Sequence, residues 1–186
     1  STGVYSSLNC GIGSLDKKKN VLKNISIVSK KIGCKQKKLV LLNQTHSNKF
    51  SFINSKYKFN KKRIKADALI TNVKNVAISV LTADCAPIFF YDSKKKIIGA
   101  VHAGWRGAYK KILLKILKYL LKKGSSLKNL YFVIGPSIDQ KNYEVGVKFK
   151  KKFLKQDINN KKYFKQTNNK IFFSLNEYIE GQLKAL

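Results

Sequence analysis

The chain has 186 residues, 44% of them hydrophobic and 11% aromatic, which disfavours a disordered segment and predicts one globular domain over residues 1–186. No apolar run approaches the roughly 18 residues of a membrane span, and the N-terminus lacks a signal-peptide pattern, so we expect no membrane partner and a cytoplasmic location. Its three cysteines are odd in number and widely spaced, which disfavours a disulfide framework. Because methionine is absent, the initiator is missing, and we expect either a processed chain or a fragment that lacks native N- and C-terminal segments.

The formal net charge is +30, from 39 Lys and Arg residues against 9 Asp and Glu. Such a balance is typical of polyanion binders, and a non-enzymatic binder of this kind stays open as an alternative. However, only Arg63 and Arg106 are arginines, whereas proteins that read nucleic-acid bases rely on arginine. The lysines are spread along the chain and indicate a solvated surface. We therefore expect no specific nucleic-acid partner, but a salt-dependent attraction of anions such as phosphate.

The N-terminal half of the chain predicts one helix followed by short strands. Apolar residues on one side predict a helix over residues 20–31, and Gly33 follows near its end. Short apolar or β-branched runs predict strands over residues 38–42, 68–71, 76–81, 88–91 and 97–101.

The C-terminal half predicts two helices and one further strand. Residues 108–123 combine a wide apolar stripe with a lysine face, and Gly124 ends the predicted helix. A buried strand is predicted over residues 130–134, before Gly135 and Pro136, and a helix after Ser174. Strands dominate residues 39–101 without strict alternation with helices, which favours an α+β fold over a doubly wound sheet.

Three candidate metal ligands, His46, Cys85 and His102, follow predicted strands, and the chain contains no other histidine. Thiolate and imidazole suit zinc, and three protein ligands leave a fourth position open, as in catalytic sites. The spacing alone is not diagnostic, because three separate segments must first meet in the fold. The alternative is a buried cysteine and two ordinary polar histidines.

The segment from His102 to Gly107 predicts a tight turn between a strand and a helix. Backbone N–H groups at the helix start and the guanidinium of Arg106 would form a pocket for an anion. The alternative is a simple turn with a solvated arginine. Asp84, next to Cys85, is a candidate either for orienting a ligand histidine or for accepting a proton, and it could equally cap a turn before Pro87.

Seven motifs, in order between residues 6 and 146, resemble the zinc-dependent purine nucleoside phosphorylases that were once called polyphenol oxidases or laccase-domain proteins. This family includes proteins described as peptidoglycan editing factors. The motifs are Ser6-Ser7-Leu8-Asn9, Asn43-Gln44-Thr45-His46, Ala66-Asp67-Ala68-Leu69-Ile70-Thr71, Thr82-Ala83-Asp84-Cys85-Ala86-Pro87, His102-Ala103-Gly104-Trp105-Arg106-Gly107, Gly135-Pro136-Ser137-Ile138 and Tyr143-Glu144-Val145-Gly146.

The resemblance implies Zn²⁺ bound by His46, Cys85 and His102, with Asp84 as a further catalytic candidate. It implies phosphorolysis of adenosine, inosine, guanosine and S-methyl-5′-thioadenosine, together with adenosine deamination. Purine nucleosides and phosphate are therefore the expected partners, and a monomer is favoured. The implied fold is a layered α+β arrangement of two packed mixed β-sheets with outer helices. Candidate residues for binding substrate or phosphate are Arg106, Asn9, Asn43 and Gln44.

Two other enzymatic interpretations stay open at this point. A metal-independent cysteine hydrolase would use Cys85 activated by His46 or His102, and could act in peptidoglycan precursor editing. A copper-dependent polyphenol oxidase is disfavoured, because two histidines cannot build a multicopper centre and no methionine is available as an axial ligand.

Overall fold

The computed structural model describes residues 1–59 and 63–185. In this part of the chain the α-helices are α1 (Lys18–Lys31), α2 (Trp105–Tyr109), α3 (Ile112–Lys122), α4 (Val147–Gln156) and α5 (Leu175–Lys184). The strands are β1 (Leu39–Val40), β2 (Leu42–Asn43), β3 (Phe50–Ile53), β4 (Ile64–Lys65), β5 (Ala68–Thr71), β6 (Ala77–Ile78), β7 (Ala86–Asp92), β8 (Ile97–Ala103), β9 (Leu130–Ile134), β10 (Glu144–Val145), β11 (Phe164–Thr167) and β12 (Lys170–Phe173).

A mixed five-stranded sheet of order β3-β5-β8-β7-β9 forms the centre of the protein. Strands β3 and β5 are parallel, and the other neighbouring pairs are antiparallel. The four residues of β5 are all buried, because this strand lies inside the sheet and both of its faces are covered. Helix α3 contributes the buried side chains of Ile112, Ile116 and Leu120 to the same hydrophobic core as β7 and β8.

Smaller sheets flank this centre. Two parallel ladders, β1 with β6 and β2 with β4, belong to a second apolar cluster that includes Val40, Leu42 and Leu69. An antiparallel sheet of order β10-β12-β11 contributes to an aromatic cluster around Phe153, a fully buried residue of α4. Helices and mixed sheets in this arrangement confirm the α+β class.

The predicted element types are present, although several bounds differ. Strands β5 and β9 have the predicted bounds, and α1 begins two residues before the prediction. The strand predicted over residues 76–81 is reduced to β6. Strand β8 continues to Ala103, so His102 lies within a strand and not after it.

The prediction of one continuous helix over residues 108–123 is wrong in one respect, because this part of the chain is divided between α2 and α3. Lys111 adopts the left-handed conformation, with φ 56°, and interrupts the helix there. The break lets α3 turn its apolar stripe toward the core while α2 stays next to the end of β8. The helical period of the apolar residues does not predict such a break, since the exposed lysines around it are compatible with a continuous helix and with an interrupted one.

Within the part of the chain that the structure describes, no helix is both long and apolar enough to cross a membrane.

Candidate metal centre

The three predicted ligands converge at one end of the five-stranded sheet, where β3, β5 and β7 begin and β8 ends. Their ligand atoms all lie within 4.8 Å of one another. The Sγ atom of Cys85 is 3.8 Å from Nε2 of His46. The rings of His46 and His102 meet edge to face, with centroids 4.8 Å apart. Ligand atoms around a tetrahedral zinc lie about 3–4 Å apart for bonds of ~2.0–2.3 Å, so small side-chain movements would close this set around an ion.

Asp67, the residue before β5, is the carboxylate that organises the cluster. Its side chain is fully buried, and Nδ1–H of His102 donates to its Oδ1 over 2.9 Å. With Nδ1 engaged in this way, Nε2 of His102 is the ring nitrogen left for a metal. The sequence indicated Asp84 as a candidate for orienting a ligand histidine. In the structure the carboxylate that orients His102 is that of Asp67.

The same carboxylate also fixes the loop that carries His46. It accepts the backbone N–H of His46 over 2.9 Å and that of Ser47 over 2.7 Å. This loop needs the support, because His46 has φ 54°, a left-handed conformation that costs a residue with a Cβ roughly 1–3 kcal/mol. One buried carboxylate therefore positions two of the three ligand side chains.

Asp67 could have been found from the sequence. A carboxylate just before a run of four apolar or β-branched residues is costly to bury unless it is paired, so its position signals a partner inside the fold. The motif that contains Asp67 supported the family resemblance, but no role was assigned to it.

The hydrogen bonds at the centre determine the charges of its side chains. Burial alone would lower the pKa of His102, but the hydrogen bond to Asp67 and the proximity of Cys85 raise it to about 9, so a metal that binds Nε2 must displace a proton from this ring. For Asp67, hydrogen bonds from His102 and Ser47 outweigh burial and hold the pKa of its carboxyl well below the usual range. Burial, the charge of His102 and that of Arg106 lower the pKa of His46, which favours the neutral imidazole that a metal requires.

Gly104 leaves the space in which the ligands meet. A Cβ atom at this position would lie 2.8 Å from Sγ of Cys85 and 3.1 Å from Cδ2 of His46. Its backbone, with φ −73° and ψ 170°, needs no glycine, so the constraint comes from the neighbouring side chains. The donor set of two imidazoles and one thiolate fits a zinc ion.

Gln44, predicted to bind substrate, connects two loops of the site. Its Nε2 donates to the carbonyl of Leu81 over 2.7 Å, and its Oε1 accepts the backbone N–H of Leu81 over 2.7 Å. These bonds join the segment before His46 to the segment before Cys85. The amide is therefore used within the protein, and binding of substrate by Gln44 stays a prediction.

We expect Gln44→Leu to loosen this connection. The backbone N–H and carbonyl of Leu81 lose both partners, which should lower the free energy of unfolding by about 1–3 kcal/mol. Metal affinity should also fall, because the His46 and Cys85 loops are no longer joined. Denaturant unfolding and competitive zinc titration measure the two effects. Gln44→Glu, which keeps one acceptor, should retain part of the stability. Equal metal affinity in wild type and both variants would contradict the role of these two hydrogen bonds, the clamp between Gln44 and Leu81.

Asn9 and Asn43, the other two amide candidates, lie elsewhere. The side chain of Asn9 donates to Ser14 and Asp16 and accepts the backbone N–H of Gly11, so it holds the N-terminal loop together. Asn43 is exposed at the end of β2, opposite Lys65 of β4. Binding of substrate by either residue stays a prediction.

Arg106 and Asp84 are both exposed near the ligands. The charge of Arg106 lowers the pKa of His46, and its guanidinium lies 5.3 Å from the centre of the Trp105 ring. The predicted turn at Trp105 and Arg106 is wrong: α2 begins at Trp105, so both residues and Gly107 are helical. Asp84 has a left-handed backbone with φ 72°.

Tyr143 is a neighbour of the site that sequence reasoning did not assign. Burial, together with the nearby charges of Cys85 and Asp84, raises its pKa to about 12. A neutral phenol therefore lies beside the candidate metal centre.

Fold and site together define an α+β protein with a candidate three-ligand metal centre at the end of a mixed sheet. The chain belongs to the family described as multi-copper polyphenol oxidoreductase laccase, whose model matches residues 1–186.

Relatives of this chain carry the name purine nucleoside phosphorylase. One from Rickettsia conorii is 37% identical over 174 residues, which are 90% of this chain and 70% of the relative. One from Rickettsia prowazekii is 39% identical over 155 residues, 80% of this chain and 61% of the relative. YlmD of Bacillus subtilis is 36% identical over 148 residues, 76% of this chain and 53% of the relative. The matched part thus spans between about half and seven tenths of these proteins.

Solved structures share the fold. The hypothetical protein YfiH of Bacillus licheniformis superposes with a TM-score of 0.90 at 23% identity, covering 99% of this chain and 72% of that one. The protein NMB0706 of Neisseria meningitidis superposes with a TM-score of 0.85 at 27% identity, covering 99% of this chain and 73% of that one.

Proposed function

We propose that this chain is a zinc-dependent purine nucleoside phosphorylase of the cytoplasm, acting on adenosine, inosine, guanosine and S-methyl-5′-thioadenosine, with adenosine deaminase as a second activity. The observation that carries the proposal is the convergence of His46, Cys85 and His102, with His102 oriented by a buried carboxylate. The names of the relatives support the phosphorylase assignment. Because the chain spans only part of their length, the proposal concerns the site that these residues form.

His46, Cys85 and His102 would hold Zn²⁺, with Asp67 fixing the ring of His102. An ion with three protein ligands keeps one position open and supplies Lewis-acid chemistry there. Asp84 lies next to Cys85 and is exposed, so it is the candidate proton acceptor for deamination.

Arg106 is the candidate for binding phosphate. Its guanidinium is exposed, its charge acts on His46, and its planar fork matches two oxygens of a phosphate ion. Phosphate held there would form a bond to C1′ of the ribose as the bond between C1′ and the purine nitrogen breaks, and the purine would leave with the proton that dihydrogen phosphate supplies. The anion would also stabilise the positive charge that develops on the sugar.

The test is purine release from adenosine, inosine and S-methyl-5′-thioadenosine, with and without phosphate, next to a metal analysis. We expect purine release that requires phosphate, disappears after chelation and returns with zinc.

Arg106→Ala should lower the rate of phosphorolysis by about 100-fold and leave the rate of deamination unchanged, because a charged donor to the attacking anion is lost. The control for the loss of charge is Lys110→Ala, because Lys110 is also exposed and lies immediately after the same helix. Loss of deamination with intact phosphorolysis in Arg106→Ala would overturn the phosphate assignment.

A cysteine hydrolase is the second candidate, and one observation favours it. Such an enzyme needs a nucleophile, a base and a carboxylate that orients the base. Cys85, His102 and Asp67 would take these roles in that order, and the enzyme could act on a peptidoglycan precursor. A hydrolase of this type keeps its activity after chelation, whereas the zinc-dependent phosphorylase loses it. A copper oxidase is not proposed, because the chain has only two histidines and no methionine.

A further inference from the structure

A cavity of about 730 Å³ lies beside the ladder of β2 and β4. Its charged and polar lining comes from Arg63, Lys65, Asn43 and Gln44, and the loop Gly11-Ile12-Gly13 forms another part of its wall. Its lining includes no carboxylate and none of the three candidate metal ligands, and Arg106 does not border it. The volume is in the range of pockets that bind small organic molecules.

Strand geometry places the polar groups of this cavity on one side. Lys65 pairs with Asn43 across the parallel ladder, and both are exposed. Arg63 immediately precedes β4 and lies two residues before Lys65, a spacing that in extended chain directs both side chains to the same face. Two cations and one amide therefore share a single face of the ladder.

Arg63 is unusual in this chain. It is one of two arginines, it is partly buried, and burial lowers the pKa of its guanidinium. Among the described residues, the ion pairs involve His102, Lys170 and Lys184, and none involves Arg63. A partly desolvated guanidinium without a carboxylate partner favours an anion as its ligand.

The loop on the other side of the cavity offers backbone donors. The N–H of Gly11 donates to Oδ1 of Asn9, and the carbonyl of Gly11 accepts the N–H of Ser14, so the turn is fixed from both ends. The N–H groups of Ile12 and Gly13 donate to no acceptor among the described residues. Consecutive free N–H groups in a turn are a common device for binding phosphate oxygens.

We propose that this cavity binds a small organic phosphate. The phosphoryl group would contact Arg63, Lys65 and the N–H groups of Ile12 and Gly13. The organic part would lie against Leu42 and Leu81, which together with Ile12 provide the apolar lining. A free phosphate ion would leave most of the volume and this apolar wall unused. The proposal concerns binding alone and does not depend on the function proposed above.

Calorimetry at about 150 mM salt, with adenosine 5′-monophosphate, inorganic phosphate and adenosine as separate probes, tests the proposal on the full chain. The ionic strength screens attraction by the general positive charge. We expect saturable binding of the monophosphate, and weaker binding of inorganic phosphate that competes with it. Arg63→Gln combined with Lys65→Gln should weaken the monophosphate by at least about 10-fold, because two charged contacts are lost, and should leave adenosine unaffected.

The matched control is Lys118→Gln combined with Lys128→Gln, which removes the same charge from two exposed lysines on other elements. Arg63→Lys, which keeps the charge and loses the fork, should give an intermediate affinity. The proposal is overturned if both double variants weaken binding equally, if the monophosphate does not saturate, or if inorganic phosphate binds as tightly as the monophosphate.

Discussion

Asp67→Asn is expected to weaken both the fold and the metal centre. An asparagine amide presents only one oxygen to the donors from His102, His46 and Ser47, and its NH2 group would face one of them. Breaking a buried charge pair in this way should lower the free energy of unfolding by about 3–5 kcal/mol. Zinc affinity should fall by about 10–100-fold, as for other residues that orient metal ligands. Denaturant unfolding and zinc competition titrations measure the two losses.

The effect on stability should depend on pH in a defined direction. The native pKa of Asp67 lies below its unfolded value, so the ionised carboxylate stabilises the fold above about pH 4, and this contribution is lost as the pH falls toward the native pKa. The difference in unfolding free energy between wild type and Asp67→Asn should therefore be full near neutral pH and shrink in acid. A constant difference down to low pH would contradict the assigned ionisation.

Asp92→Asn provides the matched control. Asp92 is also fully buried, and its Oδ1 accepts the backbone N–H groups of Lys94 and Lys95 over 3.0 and 2.8 Å. It lies at the opposite end of β7 from Cys85, so its replacement should lower stability without changing zinc affinity. If both variants lost zinc affinity equally, Asp67 would have no particular role at the metal centre.

Gly104→Ala is expected to damage the metal centre while leaving the fold largely intact. The new Cβ would lie 2.8 Å from Sγ of Cys85, closer than van der Waals contact allows, so the thiol must shift from its position beside His46. The backbone conformation of Gly104 is one that alanine adopts without strain. We therefore expect zinc affinity to fall by at least about 10-fold, with a change in unfolding free energy below ~2 kcal/mol.

Gly146→Ala is the control for this substitution. Gly146 also precedes a helix, its φ of −83° and ψ of 165° are close to those of Gly104, and a Cβ there would meet no atom within 4 Å. Zinc affinity in this variant should equal that of wild type. If Gly104→Ala retained wild-type affinity under metal-competition conditions, the convergence of ligands around Gly104 would not represent a metal site.

Some features could be predicted directly from residue patterns. The apolar stripe from Ile112 to Leu121 predicts a helix, and the apolar run of β5 predicts a strand. His46, Cys85 and His102 were identifiable as candidate ligands because imidazole and thiolate are side-chain groups that bind zinc. These inferences succeeded because helical and strand periodicity, side-chain polarity and metal-ligand chemistry are local properties of the chain.

The tertiary structure alone decided how these residues are held. The role of Asp67 depends on two backbone N–H groups and one ring that lie about 20 and 35 residues away, a relation that no local pattern encodes. Long-range packing also determines the clamp between Gln44 and Leu81 and the space beside Gly104, since both are formed where separate loops meet. Residue types thus determined which ligands this protein offers, whereas long-range packing determined their distances, charges and orientation.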